Sequence, residues 1–387
     1  MAVINRMADF AGDMAAWRRD LHGIPELDFD LFETAAYVAA RLREIGVDEI
    51  HEGIARTGIV GIIRGRGAGR VIGLRADMDA LPIAEVRDLP YRSRHAGRMH
   101  ACGHDGHMAI LLGAARYLAE TRNFAGSVAL IFQPSEEMSG GARVMCSEGL
   151  MARFGIESVF ALHNKPGMSL GRIGTRVGPV MAAADQFEIL VRGRGAHAGY
   201  PHEGIDPMEV AVGIVQALYS IPARRVDPLV PVVVSPTVLQ AGTISNVIAQ
   251  TALLAGTVRS LDETLRRRVG AEIAEVVEAV AAAAGAQADL RYEYDYPVTV
   301  NHAAETALAL RAAAAVVGAD NVDGAMAPEM VAEDFAFMLQ ERPGAYVLLG
   351  TGPGAGLHHP EFDYNDEASP IGASYFARLV ETTMPLA

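Results

Sequence analysis

Residues 71–74, 128–132, 159–162 and 345–349 are short runs, apolar almost throughout, with stretches of helical spacing between most of them. A strand that is apolar on both sides must be covered on both faces. These runs therefore constrain the chain to an α/β layering, with helices packed on either side of a sheet. Helices are expected over residues 31–45, stopped by Gly46, and over 109–120. From about Thr175 the texture changes. A strand over 186–191 precedes a helix over 208–219, introduced by Asp206 and Pro207. A strand pair follows over 232–243 and 249–259, then a long helix over 261–284 capped by Asp262. This order suits a small α+β sandwich with one face of an antiparallel sheet covered.

A chain of 387 residues exceeds one ordinary core. The expected division is an insertion. Residues 1–178 and 294–387 form the larger domain, and residues 179–293 form a smaller one spliced into it. Lys plus Arg number 33 against 47 Asp plus Glu, a formal charge of -14. That field argues against nucleic acid as a partner. No run is long and apolar enough to span a bilayer, and residues 1–19 carry charges where a signal peptide would be apolar. Two cysteines make no disulfide framework and suit a reducing compartment, so a cytoplasmic protein away from membranes is expected.

Twelve histidines are present. The densest segment, His100-Ala-Cys102-Gly-His104-Asp105-Gly-His107, reads as a turn just before the 109–120 helix. Thiolate and imidazole donors one glycine apart suit a zinc-type ion, although a polar turn around a buried cysteine would look similar. The 128–132 strand runs into Gln133-Pro134-Ser135-Glu136-Glu137, adjacent carboxylates at a strand's carboxyl end, where sites in open α/β sheets collect. The 159–162 strand ends in His163-Asn164, and Leu357-His358-His359-Pro360 follows a glycine-rich loop. These donors are too many for one tetrahedral ion and suit two ions sharing a bridge. Asp77 and Asp79, after the 71–74 strand, stand where acids orient ligands from behind.

In order and context, Arg75-Ala-Asp77-Met-Asp79-Ala-Leu-Pro82, the 100–107 segment, residues 133–137, His163-Asn164 and residues 357–363 resemble the aminoacylase/carboxypeptidase family of dinuclear metallopeptidases. The similarity is to the amidohydrolase branch of hippurate hydrolases, N-acyl-amino-acid amidohydrolases and indole-acetyl-amino-acid hydrolases. His22-Gly-Ile-Pro25-Glu26-Leu27 and Gly195-Ala-His197-Ala-Gly-Tyr-Pro201-His202 belong to the same pattern. The resemblance implies a zinc-peptidase-like catalytic domain, a mixed sheet flanked by helices, carrying an inserted ferredoxin-like sandwich as lid and dimerisation domain.

It also implies site residues. Cys102, His104, Glu137, His163 and His358 would ligate two divalent ions (zinc, manganese, cobalt or nickel), with Cys102 as the bridge. Glu136 would be the general acid/base. Asp79 would orient a ligand histidine, and Asp77 would support it. His197 would reach an active site, commonly the partner subunit's, to hold the developing oxyanion, and Asn246 with Arg259 would grip a substrate carboxylate. The expected reaction is hydrolysis of an N-acyl amino acid to a carboxylic acid and a free amino acid, by a homodimer or homotetramer. A dipeptidase, a carboxypeptidase or a deacetylase of a biosynthetic intermediate is the alternative. Ala332-Glu333-Asp334-Phe335 departs from relatives that carry Ser before Glu-Asp-Phe.

Overall fold

The computed structural model describes residues 4–386, which fall into two compact units. The larger holds residues 4–180, Val300–Ala327 and 334–386, and the smaller holds Met181–Thr299 with Pro328–Glu333. The short return at Pro328–Glu333 has no counterpart in the expected division.

The larger unit is built on an eight-stranded mixed sheet. Its order is Glu49–Ile54, Gly58–Arg64, Ser127–Gln133, Val71–Asp77, Ile156–Lys165, Gly344–Gly350, Ile173–Gly174 and Val322–Asp323. The four strands Ser127–Gln133, Val71–Asp77, Ile156–Lys165 and Gly344–Gly350 run parallel, so their carboxyl ends emerge along one edge. These are the apolar runs, and their side chains are buried on both faces, Leu130, Phe132 and Phe160 completely. Each such side chain contributes about 1.5–3 kcal/mol to the fold. Helices Ala11–His22, Phe32–Ile45, His104–Thr121, Ala303–Val317 and Ser369–Thr383 contribute to the same core through Leu21, Leu42, Leu111, Ala312 and Phe376. Gly113 lets two of them approach closely, since a Cβ there would lie 2.3 Å from the Met14 sulfur. Phe32–Ile45 ends at Gly46 in the left-handed region at φ 82°, the conformation that glycine adopts without steric cost.

The smaller unit has a four-stranded antiparallel sheet in the order Val232–Ala241, Thr251–Ser260, Ala183–Arg192 and Gln287–Tyr296. Ala183–Arg192 alternates, burying Phe187, Ile189 and Val191 against helices Pro207–Arg224 and Glu263–Ala283. Asp206 caps the first helix by accepting the Met208 amide at 2.9 Å, and Asp262 caps the second by accepting that of Leu265 at 2.6 Å. Each cap satisfies an amide that the helix leaves unbonded. The Gln287–Tyr296 strand was not among the expected elements, although its residues alternate with period two. Among the described residues, no helix is long and apolar enough to cross a membrane.

Candidate metal centre

The parallel strands of the larger unit deliver their chemistry to one edge. Asp77 ends one strand and Asp79 lies just beyond it, Glu136 and Glu137 follow the next, and His163 lies within a third. The 100–107 segment is no free turn ahead of a helix at Ala109. The helix begins at His104, so His104 and His107 both occupy its opening turns. Gly103 precedes it at φ 90°, and a Cβ there would lie 2.5 Å from the Asn164 side-chain oxygen, so glycine is required twice over. Buried partners for Asp105 and His107 offset the weak helical propensity of this glycine-rich start.

All five expected ligands fall into overlapping groups whose donor atoms lie within 4.8 Å of one another. Cys102 stands with His104 and His163 in one group and with Glu137 and His358 in a second, and His104, Glu136 and Glu137 form a third. His163 Nε2 lies 3.4 Å from the Cys102 sulfur, and His358 Nε2 lies 3.2 Å from Glu137 Oε1. His358 reaches in from a left-handed backbone at φ 62°, anchored by its amide on the Ala101 carbonyl at 2.8 Å.

The imidazoles are aimed from behind. His104 Nδ1 donates to the Asp79 carbonyl at 2.8 Å, and His163 Nδ1 donates to the Asn164 carbonyl at 2.8 Å. Each ring therefore turns Nε2 toward the cluster, and His104 Nε2 is buried without a hydrogen-bond partner. The Asp79 carboxylate also accepts the Glu137 amide at 3.0 Å, tying two ligand-bearing turns together. Asp77 does something different. Its carboxylate accepts from His107 Nδ1 at 2.6 Å and from the Arg75 guanidinium at 2.7 Å. Arg75 in turn reaches Asp334 at 3.0 Å and Gln133 at 2.8 Å, while His107 Nε2 meets Asn164 at 2.7 Å. This buried polar layer beneath the cluster was not read from the sequence. Its members lie within the quoted motifs, but no spacing rule pairs Arg75 with Asp334.

The electrostatics follow from burying so many acids together. Burial, then Glu137 and Glu136, hold the Cys102 thiol well above its ordinary value. Burial opposes charge on His104, but Asp77, Asp79 and Glu137 outweigh it and lift its pKa to about 10. Burial and neighbouring His107 push His163 well below the usual range. A thiol, imidazoles and a carboxylate converging in a pocket rich in negative charge, with a buried ring nitrogen left unmatched, fit divalent cations of zinc type.

His197, Asn246 and Arg259 belong to the smaller unit. His197 lies in a two-residue strand paired with Val247–Ile248, and the Ala198 amide donates to the Asn246 carbonyl at 3.0 Å, so His197 and Asn246 share one exposed rim. His197 Nδ1 accepts the Gly199 amide at 3.0 Å. Arg259, the last residue but one of its strand, is half-buried and donates to the Val258 carbonyl at 3.1 Å and to the Thr257 hydroxyl. Burial lowers its pKa against the pull of Asp185 and Asp295. Asp185 is engaged elsewhere, accepting from Arg266 at 2.9 Å and Tyr292 at 2.9 Å.

A model of peptidase family M20/M25/M40 matches residues 73–382. The chain is 40% identical over 363 residues to N-acetylcysteine deacetylase of Bacillus subtilis, covering 94% of each. It is 38% identical over 379 residues to hippurate hydrolase of Campylobacter jejuni, covering 98% of each. A solved Bacillus subtilis structure, described as a dinuclear metal binding peptidase of family M20, superposes with a TM-score of 0.85. That structure is 36% identical, with 97% of this chain and 99% of the other covered.

Proposed function

Because the chain belongs to peptidase family M20/M25/M40, we propose that it is a metal-dependent amidohydrolase that cleaves N-acyl amino acids to a carboxylic acid and a free amino acid. The observation that carries this reading is the position of Cys102 in two donor groups at once, with Glu136 in a third. Cys102, His104, Glu137, His163 and His358 would hold two divalent ions, and zinc, manganese, cobalt and nickel all suit that donor set. When bound, such a pair supplies Lewis acidity, bringing the pKa of water toward neutrality and polarising a carbonyl.

Glu136 takes the proton of the attacking water on a carboxylate oxygen and passes it to the departing amine nitrogen. Arg259 and Asn246 hold the carboxylate of the amino-acid half, a planar fork and a directional amide. Two features support Arg259 in this role: its guanidinium is half-buried, and the nearby Asp185 is committed to Arg266. His197 donates to the carbonyl oxygen as charge builds there, an effect worth about 3 kcal/mol. Its Nδ1 accepts a backbone amide, so the neutral ring carries its proton on Nε2, ready to donate.

A homodimer or homotetramer through the smaller unit is part of this reading. Val232–Ala241 is an edge strand of its sheet, and Met208, Val212, Tyr219 and Leu239 are exposed. Free, buried Cys102 and Cys146 agree with a reducing, cytoplasmic setting. The test combines elemental analysis with rates on hippurate, N-acetyl amino acids and dipeptides. Two divalent ions per chain with N-acyl amino acids preferred is the expected outcome. A protein that holds no divalent ion, or that hydrolyses dipeptides alone, would overturn the proposal.

A further inference from the structure

One short stretch, residues 22–28, touches three of the turns that carry the metal-centre residues, each time one position away from them. His22 Nδ1 bonds the Asp105 carboxylate at 2.8 Å, next to His104. The Glu26 carbonyl accepts the Ala80 amide at 2.8 Å, next to Asp79. Asp28 accepts the Ser135 hydroxyl at 2.5 Å, next to Glu136. The stretch is itself pinned, since Glu26 accepts the Thr34 amide at 2.8 Å and the Phe29 carbonyl accepts the Thr57 hydroxyl at 2.9 Å.

The third contact has the most to hold. Ser135 is fully buried in the left-handed region at φ 53°, and Asp28 is also left-handed at φ 56°. That region is uncommon for residues other than glycine and persists where surrounding contacts enforce it. The Ser135 hydroxyl spends its proton on Asp28 and accepts the Ser139 amide at 3.1 Å. The Ser135 carbonyl accepts the Gly141 amide at 2.8 Å, and at Gly141 a Cβ would meet the Pro134 oxygen at 1.7 Å. The loop leading out of the Ser127–Gln133 strand is thus closed on itself around one hydroxyl, and Asp28 orients that hydroxyl. Glu136 and Glu137 follow directly, so the direction in which they leave the loop depends on the Ser135 backbone.

We propose that Asp28, acting through Ser135, is a positioning residue that aims the Glu136 carboxylate. This rests on the reading of Glu136 as the proton carrier. The donor groups around Cys102 do not include Asp28, and Glu137 has a separate anchor in the Asp79 carboxylate, which accepts its amide at 3.0 Å, so loss of Asp28 should disturb the chemical step and leave the metal ligands in place.

The experiment compares Asp28→Ala, Asp28→Asn, Ser135→Gly and Glu136→Gln in the metal-loaded full chain. Asp28→Ala should lower kcat by roughly 10–100-fold with KM within about threefold, the signature of a misplaced reacting group. Metal content should be unchanged, and amide exchange over residues 135–141 should quicken by ~10-fold or more as the Ser139 bond loosens. Asp28→Asn keeps an acceptor oxygen and should recover kcat to within about threefold of the parent. Ser135→Gly accepts the left-handed backbone but has no hydroxyl, and should fall with Asp28→Ala. Parent-like kcat in Asp28→Ala or Ser135→Gly, metal loss that accounts for the fall, or no recovery in Asp28→Asn would overturn the inference alone if Glu136→Gln is inactive. Turnover by Glu136→Gln would overturn the reading of Glu136 and this inference together.

Discussion

His163 presents Nε2 to the Cys102 sulfur at 3.4 Å while its Nδ1 is tied to the Asn164 carbonyl. A thiol held well above its ordinary pKa by burial and by Glu137 and Glu136 needs an adjacent cation before it ionises. Cys102→Ser should therefore reduce the metal retained after dialysis, read by elemental analysis. Unchanged stoichiometry would show that the thiol is no bridge.

Glu136→Ala tests a separate function at the same edge. Turnover should fall by roughly 10²–10⁴-fold while bound metal stays at the parent level. Near-normal turnover removes Glu136 as the proton carrier.

Arg259→Ala should narrow the preference for a free α-carboxylate. The ratio of rates on an N-acyl amino acid and on its amide should shrink by ~10-fold or more, as expected for losing a charged hydrogen bond. An unaltered ratio means that another group grips the carboxylate.

A fourth expectation concerns stability. Burial opposes charge on His22, but Asp105 and Glu85 outweigh it and raise its pKa to about 9. A raised histidine stabilises the fold fully below its unfolded value of about 6.5, and that contribution is lost as pH climbs through about 9. The difference in unfolding free energy between parent and His22→Gln should therefore shrink by ~3 kcal/mol between about pH 6 and pH 10, measured by urea titration. A difference that stays constant with pH would remove the charged pair from the account.

What could be read before folding was the chemistry that is local. Cys102 and His104 flank one glycine, and Glu136 and Glu137 follow shortly after an apolar strand, so donor type and placement were visible together. The Phe32–Ile45 helix was visible in the same way, through its spacing and Gly46. The strand Gln287–Tyr296 was legible too, since Gln-Ala-Asp-Leu-Arg-Tyr-Glu-Tyr-Asp-Tyr alternates polar residues with Ala, Leu and tyrosines, the period-two signal of a half-buried strand, yet it was not among the expected elements. The start of the helix at His104 escaped because two glycines mask it, and the bonds of Asp105 and His107 that offset them are long-range. Asp28 and Ser135 are 107 residues apart, and nothing local to either announces the other.

The backbone passes between the two units after residues 180, 299, 327 and 333. Cutting out Met181–Thr299 would strand Pro328–Glu333, whose Glu329 and Val331 carbonyls both accept the Ala182 amide. Anyone wishing to transplant the smaller unit onto a cousin, or to express it by itself, must carry that hexapeptide along and splice it in a new order.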